Sequence, residues 1–272
     1  MNNKIKLAVA GAVLASASVA NAGITWDAGE WTVDMNGNVN AFAIMSSADD
    51  NNTVAGGLAG TNGGGDKDSA GINTGLLPSW LGFTATTRQN DLDTSVTISF
   101  QPGAGGTGAL QGGNSTNAET ENRQAFLTFG DKSWGSVKVG KDLGIFGSTA
   151  ILNDMTLLGV GAGNGTAGAT TTLGGIGTGY LYADWIGQIA YTTPNMNGFS
   201  ATLGITQPWN AGGALSGAES AESTGSTDEF GFQGQASFSW TGDFAGKVWG
   251  GFFSQEVTNI GVANAVTGLV TD

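Results

Sequence analysis

The stretch NRQAFLTFGDKSWGSVKVGKD (Asn122–Asp142), about forty residues rich in Gly, Thr and Ala, and then ADWIGQIAYTTPNMNGFSATLGIT (Ala183–Thr206) decide the fold. Each flank reads as two short strands joined by a turn. Gly130–Ser133 joins Asn122–Phe129 to Trp134–Lys141, and Pro194–Gly198 joins Trp185–Thr192 to Phe199–Thr206. The insert contains GVGAGNGTAGATTTLGGIGTG (Gly159–Gly179) and by itself resembles a linker. A long irregular segment held between strand pairs is either disordered or functional. The strand pairs on either side favour a functional loop over Leu143–Ala183.

Outward from this frame, short segments alternate with period 2, the signature of strands with two unlike faces. From Trp31 the odd positions are apolar or small, and the even ones begin Thr32, Asp34, Asn36, Asn38, Asn40. Only Phe42 and Ile44 interrupt the polar side. Further strands are expected near Leu77–Arg88, Leu92–Gln101, Phe230–Trp240 and Phe244–Glu256, nine in all. In Phe230–Trp240 the aromatics Phe230, Phe232, Phe238 and Trp240 share one face, and Gln233, Gln235, Ser237 and Ser239 the other. Ser46–Thr74, Pro102–Glu121 and Gln207–Thr227 read as polar loops, so connections alternate between short and long.

That alternation discriminates between architectures. A soluble sandwich has no reason to make every second connection long. A membrane barrel has short turns on one side, long loops on the other, apolar residues toward lipid and a polar lumen. Strands of about 9–11 residues cross a bilayer when tilted, and closure satisfies every backbone group in hydrocarbon. The expected class is therefore all-β, an antiparallel transmembrane β-barrel. Trp31, Trp134, Trp185, Trp240 and Trp249 sit near the expected strand ends, as interfacial girdles require. The alternative is a secreted or surface-attached Gly-rich β protein with an adhesive or structural role. Against it, no fixed-period repeat is visible.

Composition narrows the function. The chain has 272 residues with 48 Gly, no Cys and no His. Disulfides, thiolate metal sites and Cys nucleophiles are excluded, and the commonest general base and metal ligand is missing. No enzyme, cofactor or metal site is expected. Gly-x-Gly patterns near Gly161 and Gly175 do not lead from a strand into a helix, so they are not a nucleotide site. Paired acids such as Asp49-Asp50 and Asp228-Glu229 fall short of the six or more oxygens that calcium takes. With 9 basic against 22 acidic residues, a nucleic-acid partner is not expected. Met1–Ala22 has a basic start (Lys4, Lys6), an apolar run (Leu7–Val19) and a small-x-small end (Ala20-Asn21-Ala22), the pattern of a cleaved signal peptide. Its removal takes the formal charge from −13 to −15.

The order of motifs across Asn122–Thr206 resembles the general porins of Gram-negative outer membranes. In that family a strand pair ending in a Gly-basic pair, here Gly140-Lys141, leads into the third external loop, which bends inward. The next pair carries a Tyr-Thr-Ser-Pro-like turn, here Tyr191-Thr192-Thr193-Pro194, followed by Gly-Phe, here Gly198-Phe199. Ser79-Trp80-Leu81-Gly82-Phe83 is similar to a second family pattern. The resemblance covers most of Trp31–Trp240. It implies a homotrimer of water-filled barrels in the cell outer membrane, in contact with lipid and lipopolysaccharide. It implies passage of small hydrophilic solutes and ions by diffusion, without catalysis. Residues 23–272 would then be the N-terminal part of the barrel domain, with the inward loop at about 143–183. Diffusion barrels have an even strand count, about 16 or more. Nine strands and a Leu269-Val270-Thr271-Asp272 end are expected for a C-terminally truncated fragment that folds as an open, curved sheet.

In such pores charged groups at the constriction set selectivity. Family practice sets basic wall residues against acids of the loop. The wall candidates here are Arg88, Arg123, Lys138 and Lys141, and the loop candidates Asp142, Asp154 and Asp184. Arg88 shares a face with Thr84 and Thr86 but lies beside the turn. Lys138 shares its face with Ser136 and Asp142. Arg123 shares parity with Ala125, Leu127 and Phe129, which reads as a rim position. Lys141 shares parity with Val137 and Val139, and faces inward only if a bulge at Gly140 resets the register. Asp154 is the only acid in Gly144–Ala183. The acidic balance points to cation preference.

Overall fold

The computed structural model describes residues 23–47, 68–73, 79–102, 120–153, 183–208, 229–256, 262–263 and 270–271. Most of the Gly-rich insert, including Asp154, and the expected signal peptide lie outside them.

Strands β1 (Ile24–Ala28), β2 (Trp31–Asn38), β5 (Trp80–Gln89), β6 (Leu92–Pro102), β7 (Thr120–Asp131), β8 (Gly135–Leu143), β9 (Trp185–Thr192), β10 (Phe199–Thr206), β11 (Gly231–Trp240) and β12 (Gly246–Ser254) belong to one ten-stranded sheet in that order. β1–β2, β5–β6 and β8 through β12 pair antiparallel with their neighbours in sequence, and β2 pairs antiparallel with β5, the intervening two strands forming a separate hairpin. That hairpin is β3 (Phe42–Ser47) with β4 (Asp68–Asn73). Two-residue strands β13 (Val262–Ala263) and β14 (Val270–Thr271) pair near the end. The order is linear, with β1 and β12 at its edges, so the sheet is open and not closed into a barrel.

All nine expected strands form. The tenth, β1, was not expected, because five residues are too few to show a period. The strand expected to run on from Trp31 stops at Asn38, and the chain resumes as β3 where Phe42 breaks the alternation. Part of the expected polar loop Ser46–Thr74 is strand β4. A short helix, α1 (Ser148–Leu152), stands inside the Gly-rich insert.

The chain divides into two compact units. The first comprises residues 1–129 and 147–183, and the second 130–146 and 184–272. In the first, Asn90 and Asp91 have φ of 49° and 62°, the geometry of the two-residue primed turn that suits strand twist, and Gln89 pairs with Leu92 around them. In the second, Gly135 opens β8 at φ 99°, and a Cβ there would lie 2.1 Å from the Thr192 carbonyl oxygen. Only glycine fits that position.

Burial is inverted relative to a water-soluble domain. On β6 the polar face Ser95, Thr97, Ser99 and Gln101 is buried, while Ile98 and Phe100 are 42% and 41% exposed. In the second unit Gln188, Thr206 and Gln233 are buried, while Ile189, Leu203, Phe232 and Phe252 are each more than half exposed. Contiguous apolar exposure on this scale marks a surface made for apolar surroundings.

Candidate pore-lining face

The polar face of the first unit is a set of hydrogen-bonded side chains. The Trp80 indole Nε1–H donates to Asn36 Oδ1 at 3.1 Å, and Asn36 Nδ2 donates to Asp34 Oδ1 at 2.8 Å. The Thr84 and Thr97 hydroxyls bond across β5 and β6 at 3.1 Å. Gln101 Nε2 donates to Ser99 Oγ at 2.7 Å, and Gln101 Oε1 accepts the Arg123 amide at 3.0 Å. A face that must meet water without becoming loose fixes its polar groups by pairing them in this way.

Arg88 lies on this face at the turn end. It pairs with its register partner Asp93 at 2.8 Å and with Asp91 at 3.8 Å. The arginine is 43% exposed, so the pair contributes little stability. Arg123 and Phe126 are both buried, at 3% and 6%, while Ala125 and Leu127 are exposed. The alternation therefore slips by one between Arg123 and Phe126. The Gln101 side chain takes an amide that a regular ladder would use, which is the kind of local disruption a bulge produces.

In the second unit one row crosses five strands. Lys138 pairs with Ala190, Ala190 with Gly204, Gly204 with Gln233, and Gln233 with Phe253. Along the same face of β8, the Lys138 ammonium donates to the Asp142 carboxylate. Asp142 is buried and Lys138 half-buried. Gln188 Nε2 donates to the carbonyls of Asp142 (3.2 Å) and Leu143 (2.9 Å), which holds the end of β8 in place.

The residues after β8 then turn over this row. The Gly144 amide donates to Asp184 O at 2.8 Å, closing the stem of the insert. Asp184 adopts φ 57°, and its Oδ1 accepts the Trp185 amide at 2.6 Å. Ile145 Cδ1 lies 2.8 Å from where a Gly204 Cβ would be, so only glycine lets it approach. The Phe146 amide donates to Gln233 Oε1 at 2.9 Å, and its ring lies 5.7 Å from that of Phe253. The first residues of the insert thus cross β10, β11 and β12 on the face that carries Lys138 and Asp142.

Lys141 lies on the opposite face. Pairing of β8 with β9 continues unbroken from Ser136–Thr192 to Leu143–Trp185, even though Gly140 has φ 129°. No bulge resets the register there, and Lys141 is exposed with Val139 and Ile189. The structure therefore brings Lys138 and Asp142 together, sets Asp184 at the stem of the insert, and keeps Arg88 and Arg123 in the first unit. Gln188 and Ile145-Phe146 were not singled out from sequence. One polar residue between Ile186 and Ala190, and two apolar residues in a Gly-rich run, were the available signals.

Aromatics border the turn end of the outer face. Tyr191 Oη–H donates to the Trp134 carbonyl, and the rings of Phe238 and Trp240 stack at 6.2 Å. Trp249, expected near a strand end, pairs with Ser237 in mid-strand and shares the polar face.

A family model described as "Gram-negative porin" matches residues 8–269. The chain therefore belongs to the Gram-negative porin family. Among solved structures it is similar to the anion-selective porin from Comamonas acidovorans, with a TM-score of 0.50 and 20% sequence identity. That match covers 89% of this chain and 60% of the other, so the chain spans about three fifths of that porin's length. A search of curated proteins finds no match.

Proposed function

We propose that the chain forms part of the wall of a water-filled outer-membrane channel through which small hydrophilic solutes and ions diffuse passively. The observation that carries this reading is the inversion of burial: one face paired and polar, the other apolar and exposed. Gram-negative porin membership supports it. The mature protein is exported by cleavage after Ala22, assembles as a homotrimer, and carries out no catalysis.

In this reading the insert, about 143–183, is the inward loop that narrows the lumen. The charged groups proposed for selectivity are Arg88, Arg123 and Lys138 of the wall and Asp142, Asp154 and Asp184 of the loop. Lys141 is set apart by its place on the apolar face. The channel prefers cations, since the chain carries 22 acids against 9 bases. The Comamonas porin is named for the opposite preference. At 20% identity the likeness extends to fold only, and selectivity resides in a few pore-lining charges.

Planar-bilayer recording on the full-length protein tests the reading. Stepwise conductance with cations favoured is expected, and absence of channels would sink it. Asp154→Asn should lower the cation-to-anion permeability ratio. An unchanged ratio would remove Asp154 from the lumen.

A further inference from the structure

The polar face of β11 and β12 can be followed residue by residue. On β11 it carries Gln233, Gln235, Ser237 and Ser239, and their partners on β12 are Phe253, Gly251, Trp249 and Lys247. Two of those four partners are large aromatics, opposite a strand that is polar on this face throughout. The Phe146 ring adds a third. It lies 5.7 Å from the Phe253 ring, and its Cδ2 is 3.6 Å from where a Gly251 Cβ would be. The aromatics thus follow one another along β12, from Phe253 past Gly251 to Trp249, over about 13 Å at 3.2–3.4 Å per residue.

The seating of the insert accounts for Phe146 and Phe253. It does not account for Trp249, which stands on the other side of Gly251, in mid-strand, and is 45% exposed. An indole gains nothing from exposure on a water-facing surface, since its apolar body is better buried. A plain wall could carry a small polar residue there, as β11 does with Ser237 across the ladder. The neighbours of the indole on this face are hydrogen-bonding groups. Ser237 is its register partner, Gln235 is the partner of Gly251, and Lys247 follows on the same strand. Gln235 Cβ lies 3.9 Å from the Gly251 Cβ position, so its amide side chain starts beside the glycine that separates Trp249 from the Phe146 ring.

We propose that Trp249, with Phe146 next along β12, is a stacking platform for neutral oligosaccharides, whose hydroxyls Gln235 and Ser237 meet. The inference rests on the channel reading above and names a solute class for it. A pyranose presents C–H groups on its face and hydroxyls at its rim. Aromatic ring faces attract such C–H groups, and Gln and Ser can each donate to a hydroxyl and accept from one. Ligand sites join apolar rings to a few convergent polar groups in this way. Gln235 and Ser237 carry no charge, which suits an uncharged solute. The platform lies on a sheet face and not in an enclosed pocket, so the solute is held and still released, as conduction requires.

The test records ion current through the full-length protein in a planar bilayer with maltotriose added, and with polyethylene glycol of similar size as the control for simple occlusion. Maltotriose should interrupt the wild-type current at concentrations where polyethylene glycol does not. Trp249→Phe should keep the interruption, and Trp249→Ala should raise the half-blocking concentration about fivefold. Gln235→Ala should raise it as well, and serves where Trp249→Ala fails to fold. Val248→Ala, on the outer face, should leave it unchanged. Equal block by sugar and polymer would overturn the proposal, as would wild-type block in both Trp249→Ala and Gln235→Ala. So would Trp249-dependent block by benzoate with none by maltotriose, which would make the occupant an aromatic anion held by Lys247. In micelles, maltotriose should shift the tryptophan emission of wild type, and Trp249→Phe should abolish the shift. A protein that shows this shift yet never conducts would sink the channel reading and leave the site standing. Channels that conduct but respond to the sugar in neither measurement would do the reverse.

Discussion

Lys138 and Lys141 stand three residues apart on β8, and their surroundings differ in every respect that matters. Lys138 begins a row that crosses to Phe253, has the Asp142 carboxylate beside it, and lies on the face that Ile145 and Phe146 cross. Lys141 ends a column of Val137 and Val139 and looks across to a glycine. Odd spacing on a strand sends two like side chains to opposite faces. The comparison shows that sign and proximity in sequence do not assign a charge to a pore; parity and register do. It also shows that the two faces obey opposite rules. The polar one carries charge and is crossed by Ile145 and Phe146, while the other carries exposed apolar bulk.

The largest effect that could break this contrast comes from placing a charge in mid-band. Ile189→Arg on the outer face should destabilise the folded barrel by about 2–4 kcal/mol, measured by denaturant titration of the full-length protein in lipid vesicles. Ser237→Lys, on the inner face, should cost less than about 1 kcal/mol and alter ion selectivity instead. Equal costs would mean that the faces are not distinguished by lipid.

A second test concerns space. Gly204→Leu would place a side chain where Ile145 Cδ1 already lies, 2.8 Å from the Cβ position. Overpacking of this kind costs about 1–3 kcal/mol, and displacing Ile145 and Phe146 should also change single-channel conductance. Stability loss with unaltered conductance would separate the start of the insert from the lumen.

Charge pairing gives a smaller effect. Lys138→Met leaves the buried Asp142 carboxylate without its ammonium. Because Lys138 is partly exposed, the cost should be roughly 1–2 kcal/mol, below that of breaking a fully buried pair. Selectivity should move further toward cations, and Lys138→Arg should restore both. A stable variant with unchanged reversal potential would take the pair out of the conduction path.

Much of this contrast was legible in the sequence because a strand has a two-residue period and so do its faces. Parity alone put Lys138 with Asp142, and Phe232 and Phe238 opposite Gln233 and Ser237. Arg123 shows the limit. Counting from Leu127 places it with the exposed residues, yet it is buried, and its amide donates to the Gln101 side chain where the alternation slips. A slip created by a residue on the neighbouring strand leaves no mark in the local pattern. Helix α1 was hidden for a related reason, since five residues within a Gly-rich run are too few to show a helical period. Strand β1 is equally short, and its five residues take their place through pairing with β2. For Lys141 the sequence left two orientations open, and only the unbroken β8–β9 register decided between them.

The smallest expected effect is also the sharpest control on the comparison of faces. Gly187→Ala adds a methyl group on the outer face, where the one neighbour is Gln207 Cβ at ordinary contact distance, 4.0 Å. Gly187 does not take a positive φ, so its backbone does not require glycine. An alanine in an extended strand also restricts the unfolded chain more than glycine does. The net change should therefore lie within about 0.5 kcal/mol of zero, with conductance unaltered. Gly204 and Gly187 sit on adjacent strands and differ in face. If Gly187→Ala proved as damaging as Gly204→Leu, the cause would be a neighbour on the outer side, and the space beside Lys141 would be an occupied protein contact instead of a lipid-facing gap.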